Sequence, residues 1–166
     1  MKKGLAIILL FALAFTACEK SDEETTYNPS TDGIAGEWYS SGDNVAPLLV
    51  SFEIDSLYAN FETNNTYLVE SYANGAKTTF NGTYTQEKSS VDGIWNIVLN
   101  QSTPTAVTSE GIFEINATGS EYTMTYEVVQ TEPALGTAPT AEAGFGSTSG
   151  GALGNMNIQK FVKIQK

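Results

Sequence analysis

Histidine and arginine are absent from this 166-residue chain, and cysteine occurs once, at Cys18. Each shortage removes a chemistry. Without histidine there is no imidazole to act as general base, to activate a nucleophile or to ligate a metal. Without arginine there is no planar fork to clamp phosphate or carboxylate. One cysteine excludes an internal disulfide. Positive charge is also scarce: eight lysines face 19 Asp and Glu, for a net charge of −11. A chain this acidic repels phosphate backbones, so nucleic acid is excluded as a partner. Carboxylates, lysines, tyrosines and hydroxyls are the groups left for catalysis, and no spaced constellation gathers them. The acidic trio Asp22, Glu23 and Glu24 lacks the turning glycine and ligand spacing of a calcium loop. The chain therefore reads as a non-enzyme with no catalytic residue, no metal and no cofactor.

What is present starts at the N-terminus. Lys2 and Lys3 precede an unbroken apolar and small run from Gly4 to Phe15. A hydrocarbon core of about 30 Å needs roughly 20 apolar residues to span it, so this run reads as a cleaved signal peptide. The sequence Phe15-Thr16-Ala17-Cys18 resembles the lipobox cut by lipoprotein signal peptidase. The resemblance implies a signal peptide over residues 1–17, thioether lipidation of Cys18, and the membrane as a partner through that anchor. Residues 18–32 are acidic and polar, opening Glu19-Lys20-Ser21-Asp22-Glu23-Glu24. They cannot bury enough apolar area to offset their ordering entropy and read as a flexible tether. The Ser-Asp-Glu-Glu run resembles the export signal of surface-exposed lipoproteins of the Bacteroidota, which implies an outer-membrane, cell-surface address.

Beyond residue 32 the dominant period is two. Tyr122, Met124, Tyr126 and Val128 alternate with Thr123, Thr125, Glu127 and Val129, and Phe80, Gly82 and Tyr84 alternate with threonines and Asn81. Such alternation marks strands with one buried face, and the β-branched and aromatic content agrees. Turn residues cut the runs: Thr63-Asn64-Asn65, Asn74-Gly75, Asp92-Gly93 and Thr118-Gly119-Ser120. The expected strands are 35–41, 47–54, 57–62, 66–73, 77–86, 94–100, 107–116, 121–131 and 157–164. Eight or nine strands joined by hairpins imply an all-β, antiparallel up-and-down sheet that closes to hide its edges. Residues 33–166 would form this barrel domain.

Gly36-Glu37-Trp38 opens the first strand, and it resembles the Gly-x-Trp signature that begins the lipocalin barrel. Asn81-Gly82-Thr83-Tyr84 and the terminal Phe161-Val162-Lys163-Ile164 are similar to bacterial lipocalin-like lipoproteins. The resemblance implies a barrel whose closed end is plugged by Trp38, with Gly36 beside it. Lipocalins set an arginine from the last strand across the tryptophan; here Lys160 and Lys163 are the available cations.

Phe52, Phe61, Phe80, Tyr84, Tyr122, Met124 and Tyr126 are expected to face inward, with Ala59 and Gly82 leaving local space. Phe61, Phe80, Tyr84, Tyr122, Met124 and Tyr126 then line a candidate pocket. The long segment Thr131–Asn155 would fold over one mouth, with Phe145 as its apolar contact. Glu53, Glu62, Glu114 and Glu127 are expected to face solvent. Tyr58, Tyr67, Tyr72 and Trp95 are candidates for an outer sugar-stacking platform. Two functions remain open: a binder of a small apolar or amphipathic ligand in the barrel, or a surface module with a filled barrel that recognises glycan or protein through exposed aromatics and loops.

Overall fold

A computed structural model of the chain describes residues 27–165. The signal sequence, Cys18 and the acidic run after it lie outside the described residues. Eight antiparallel strands form one closed barrel in sequence order: β1 (Gly36–Ser41), β2 (Ile54–Phe61), β3 (Thr66–Ala73), β4 (Ala76–Lys88), β5 (Ile94–Thr103), β6 (Val107–Thr118), β7 (Glu121–Glu132) and β8 (Gln159–Lys163). The chain is thus an all-β up-and-down barrel, with β1 closing on β8 through the pairs Trp38–Lys163 and Tyr39–Val162.

The turns follow their residues. Asn74 and Gly75 both take positive φ, 50° and 78°. That is the two-residue hairpin geometry whose twist matches the flanking strands. Asn65, Gly93 and Gly119 supply positive φ at the other three expected turns. Gly82 and Gly111 do different work. A Cβ on Gly82 would lie 2.0 Å from the carbonyl oxygen of Asn100, and one on Gly111 would lie 2.0 Å from that of Glu127. Both glycines let neighbouring strands approach where the wall bends. The space expected at Gly82 is occupied by backbone, whereas Ala59 is buried in the interior as expected.

Three expectations are corrected. Residues 47–54 are not a strand: Pro47–Val50 is a short helical turn (α2, after α1, Pro29–Asp32) that leads through a bend into β2. Proline suits the first position of a helical turn, where its fixed φ is already right and its missing N–H costs nothing. Val50 N–H donates to Ala46 O and Ser51 N–H to Pro47 O. Leu49 and Val45 pack against the interior, whereas Phe52, expected inward, is 66% exposed. Secondly, the chain from Tyr27 to Asp32 is built into the barrel and is not tether. Asn28 caps α1 by accepting from Ser30 N–H, and Tyr27 packs edge-on against Trp38 and Tyr122. Thirdly, the segment between β7 and β8 lies for most of its length against the outer wall as a strap, and only its last turn, Gly154–Asn157, reaches α2 at the end of the barrel. Asn157 donates to Val128 O at 2.8 Å, Ser90 in the β4–β5 turn donates to Glu142 at 2.5 Å, and Ile112 on the outer face of β6 is fully buried. Glu127 points outward as its alternation requires, yet it is fully buried beneath this strap.

Candidate functional site

In an up-and-down barrel the connections after β2, β4 and β6 share one end with the chain's entry and exit, and those after β1, β3, β5 and β7 share the other. The entry end is closed. Trp38 is fully buried, and its indole N–H donates to Ile34 O at 2.7 Å. Gln86 ties the incoming chain to β4, accepting from Ile34 N–H at 2.8 Å and donating to Asp32 O. Lys163 supplies the cation at this end: its ammonium lies 4.6 Å from the Trp38 ring centroid and 3.7 Å from that of Tyr27, and it donates to Ala35 O at 2.7 Å. Burial lowers the Lys163 pKa to about 8, against which both ring faces favour the charged form. Gly36 stands at φ 113°, and a Cβ there would lie 2.2 Å from the ammonium nitrogen. Glycine at this position makes room for the lysine. Lys160, the other available cation, is exposed.

The middle of the barrel is packed. Phe61, Tyr84 and Met124 are each at most 2% exposed, so these three candidate pocket residues are core. Phe61 sits 5.2 Å from Tyr84 and 6.0 Å from Tyr67, centroid to centroid. Tyr84 donates to Glu62 O at 3.0 Å. Tyr122 belongs to the closed end, where its hydroxyl meets Tyr27 O at 3.4 Å. Phe145 is in the strap, half-buried, and is not packed against the interior cluster.

Phe80 and Tyr126 differ from the rest. Cross-strand partners share a face, so the pairs Ala59–Val69 and Val69–Phe80 place Phe80 inward. It is nevertheless half-buried and does not pack against the buried core. Tyr126 packs edge-on against Phe161 at 6.0 Å, and burial drives its phenol pKa far above the ordinary 10, with Tyr67 adding to the shift. Yet Tyr126 keeps accessible surface. Val69, Gln101, Ser109 and Val128 occupy inward positions toward the far end and are also partly buried, whereas Ser40, Leu57, Ser71 and Gln159 at that end are buried. None of them carries a charge. Burial likewise raises the Tyr67 phenol to about 12, so both phenols remain neutral hydrogen-bond donors across the physiological range.

The far end is covered on its β1–β8 side by the β1–β2 connection: Val45 and Ala46 are buried, and buried Gln159 accepts from Ala46 N–H at 2.8 Å and donates to Asn44 O at 2.9 Å. Exposed apolar side chains, Val50, Phe52, Leu135 and Met156, stand on the connections of that end. Of the candidate platform residues, Tyr58 and Tyr72 face outward, as expected. Tyr67 lies within the core cluster and Trp95 packs against it, stacked on Phe113 at 5.9 Å. The outward Tyr39, in register with Tyr58, was not among the residues singled out by sequence; its alternation with buried Trp38 was the available signal. Comparisons with protein-family models, curated proteins and solved structures give no match.

Proposed function

We propose that this chain is a lipid-anchored, outer-membrane lipoprotein displayed at the cell surface, whose barrel takes a small uncharged amphipathic ligand at the end opposite Trp38. The observation that carries the binding half is Tyr126: a phenol desolvated in the barrel that keeps accessible surface, while inward Phe80 of β4 stays outside the packed core. Ligand sites are usually apolar with a few oriented polar groups; phenols and amides among aliphatic and aromatic side chains fit that description. A charged ligand would have to leave water without an opposite charge at these positions, so a neutral amphiphile fits best. The packed tryptophan with a last-strand lysine across it supports the lipocalin-like reading, with Lys163 in the post that lipocalins give to arginine.

The lipoprotein half rests on the Phe15–Cys18 motif and the acidic run after it. Cys18→Ser is expected to abolish incorporation of labelled fatty acid and to release the protein from membranes; unchanged membrane retention would overturn the anchor. Replacing Asp22, Glu23 and Glu24 with alanine is expected to remove protease-accessible protein from intact cells. The binding half is tested by thermal shift on the domain lacking residues 1–20, with neutral, cationic and anionic amphiphiles. A neutral ligand at a hundredfold excess over its Kd adds about 2.7 kcal/mol of stability, and Tyr126→Phe should reduce that gain. No shift with any class would refute the pocket.

A further inference from the structure

Outside the barrel, three tyrosines stand on neighbouring strands of the same wall. Tyr39 of β1 pairs directly with Tyr58 of β2. Ser56 pairs with Tyr72 of β3, which puts Tyr72 on the diagonal from Tyr58. With strands about 4.8 Å apart, the row spans roughly 10 Å. Tyr39 is 43% exposed, and Tyr58 and Tyr72 are half-buried.

Carboxylates fix two of the rings. The Tyr72 hydroxyl donates to Glu70 Oε2 at 2.5 Å, and the Tyr58 hydroxyl hydrogen-bonds Glu37. Glu70 is two residues from Tyr72 on the same face, a rise of about 7 Å. A phenol standing upright from the sheet could not reach that carboxylate, so the side chain inclines along the wall. Lys77 holds the far oxygen of Glu70 at 2.6 Å. The rings are therefore preset, and little side-chain entropy is lost on contact.

A second observation adjoins the row. A shallow cleft of about 580 Å³ runs over the outer wall of β2–β5, lined by Asn60, Leu68, Asn81, Asn100, Ser102 and neighbouring threonines. Asn60 is two residues beyond Tyr58 on the same face, so platform and cleft are continuous. The β4–β5 register shifts between Asn81 and Gly82, where the wall bends. The lining combines the apolar surface of Leu68 and of the wall with amides, hydroxyls and the Glu62 carboxylate, which offer donors and acceptors side by side.

We propose that this wall is a second binding site, for a chain of neutral sugars. Pyranose rings present apolar C–H faces that pack on aromatic faces, and their hydroxyls need mixed donors and acceptors such as the amides and carboxylates here. Rings in a row across adjacent strands suit an extended chain, whereas a point cation is best held by rings that enclose it. The local carboxylates Glu37, Glu62 and Glu70, on a chain of net charge −11, repel acidic polysaccharides. This site is independent of the barrel pocket and survives if that pocket is refuted.

The test is affinity electrophoresis of the full chain in non-ionic detergent, through gels containing starch, dextran, xylan, mannan or β-1,3-glucan, with polylysine as the cationic probe. At least one polysaccharide should retard the protein. Tyr39→Ala and Tyr72→Ala should each weaken that retardation about tenfold, the usual effect of removing an aromatic anchor. Glu70→Gln should weaken it by releasing the Tyr72 ring, and the interior variant Tyr126→Phe should leave it unchanged. The tyrosine variants lie outside the core, and unchanged melting temperatures would show them folded. Retardation by none of the five polysaccharides, retardation that persists in both alanine variants, or binding to polylysine alone would overturn the proposal.

Discussion

Replacing Glu127 with alanine should loosen the strap between β7 and β8 and leave the barrel intact. The carboxylate is fully buried and accepts from Gly146 N–H at 2.6 Å, Thr148 N–H at 3.0 Å and the Thr148 hydroxyl at 2.5 Å. Both backbone donors lie about twenty residues along the chain, so one side chain on the wall closes the whole loop onto it. A buried carboxylate without a cation is tolerated only because its oxygens are saturated with donors. Removing it leaves two N–H groups and a hydroxyl without their acceptor. Each orphaned donor costs about 1–3 kcal/mol if it stays buried. The strap has a cheaper escape. It can lift, giving its donors to water, and the loss is then capped at the free energy that holds the strap down. Amide hydrogen exchange separates the two routes. The expected result is faster exchange across residues 134–157, unchanged protection in β2–β5, and a lower denaturant midpoint. Glu127→Gln keeps one acceptor oxygen but sets an NH₂ against Gly146 or Thr148 N–H, so it should fall between wild type and alanine. Unchanged exchange in the strap together with unchanged stability in Glu127→Ala would refute the latch.

Trp38→Ala removes a fully buried indole that also binds Ile34 O and stacks under Lys163, and it should cost about 3–5 kcal/mol in chemical denaturation. Gly36→Ala should also destabilise, because it strains a positive φ and crowds the Lys163 ammonium; a melting temperature equal to wild type would contradict that packing. Stability should fall in alkali. Burial holds Tyr27, Tyr67 and Tyr126 neutral above the ordinary phenol value of 10, so between pH 10 and 12 the unfolded chain loses protons that the folded chain keeps. Each phenol so protected removes about 1.4 kcal/mol per pH unit above 10. Phenolate absorbance rising in step with unfolding, and not before it, is the expected signature.

Strand positions were legible because one barrel face is buried and the other is wet, which makes alternation a direct record of the wall. Thr66–Ala73 is a strand over the expected residues, and the Asn74-Gly75 turn forms where its left-handed conformers allow. The failure at 47–54 has the same origin as the successes. Leu48, Val50, Phe52 and Ile54 alternate, but period alone does not say that the partner strand is missing; Pro47 was the contrary signal. Tyr27 was overlooked because one aromatic residue in a polar stretch shows no period, and its burial depends on Trp38 and Tyr122. Glu127 obeyed the alternation, and pointed outward as read, yet the strap that covers the outer wall follows no local pattern. Alternation reports which side of the wall a residue takes and not what lies on that side.

The interior illustrates the same limit at the candidate site. Six side chains of strand period were expected to line a pocket, and the structure sorts them by height along the barrel axis, a quantity that alternation does not encode. Those toward the entry end are consumed in closing it: Tyr122 against Tyr27, Tyr84 onto the Glu62 carbonyl, Phe61 and Met124 in the packed middle. Phe80 and Tyr126 lie toward the other end and keep free surface. The proposed attachment point selects the same direction. Tyr27, at the closed end, is nine residues from Cys18, so on the lipoprotein reading a lipid there would hold that end within about 30 Å of the bilayer at full extension. On the lipoprotein reading, the mouth with its exposed Val50, Phe52, Leu135 and Met156 then faces away from the anchoring membrane. A ligand of the barrel would reach it from the medium or from a facing surface, and the outer tyrosine wall stands beside that path.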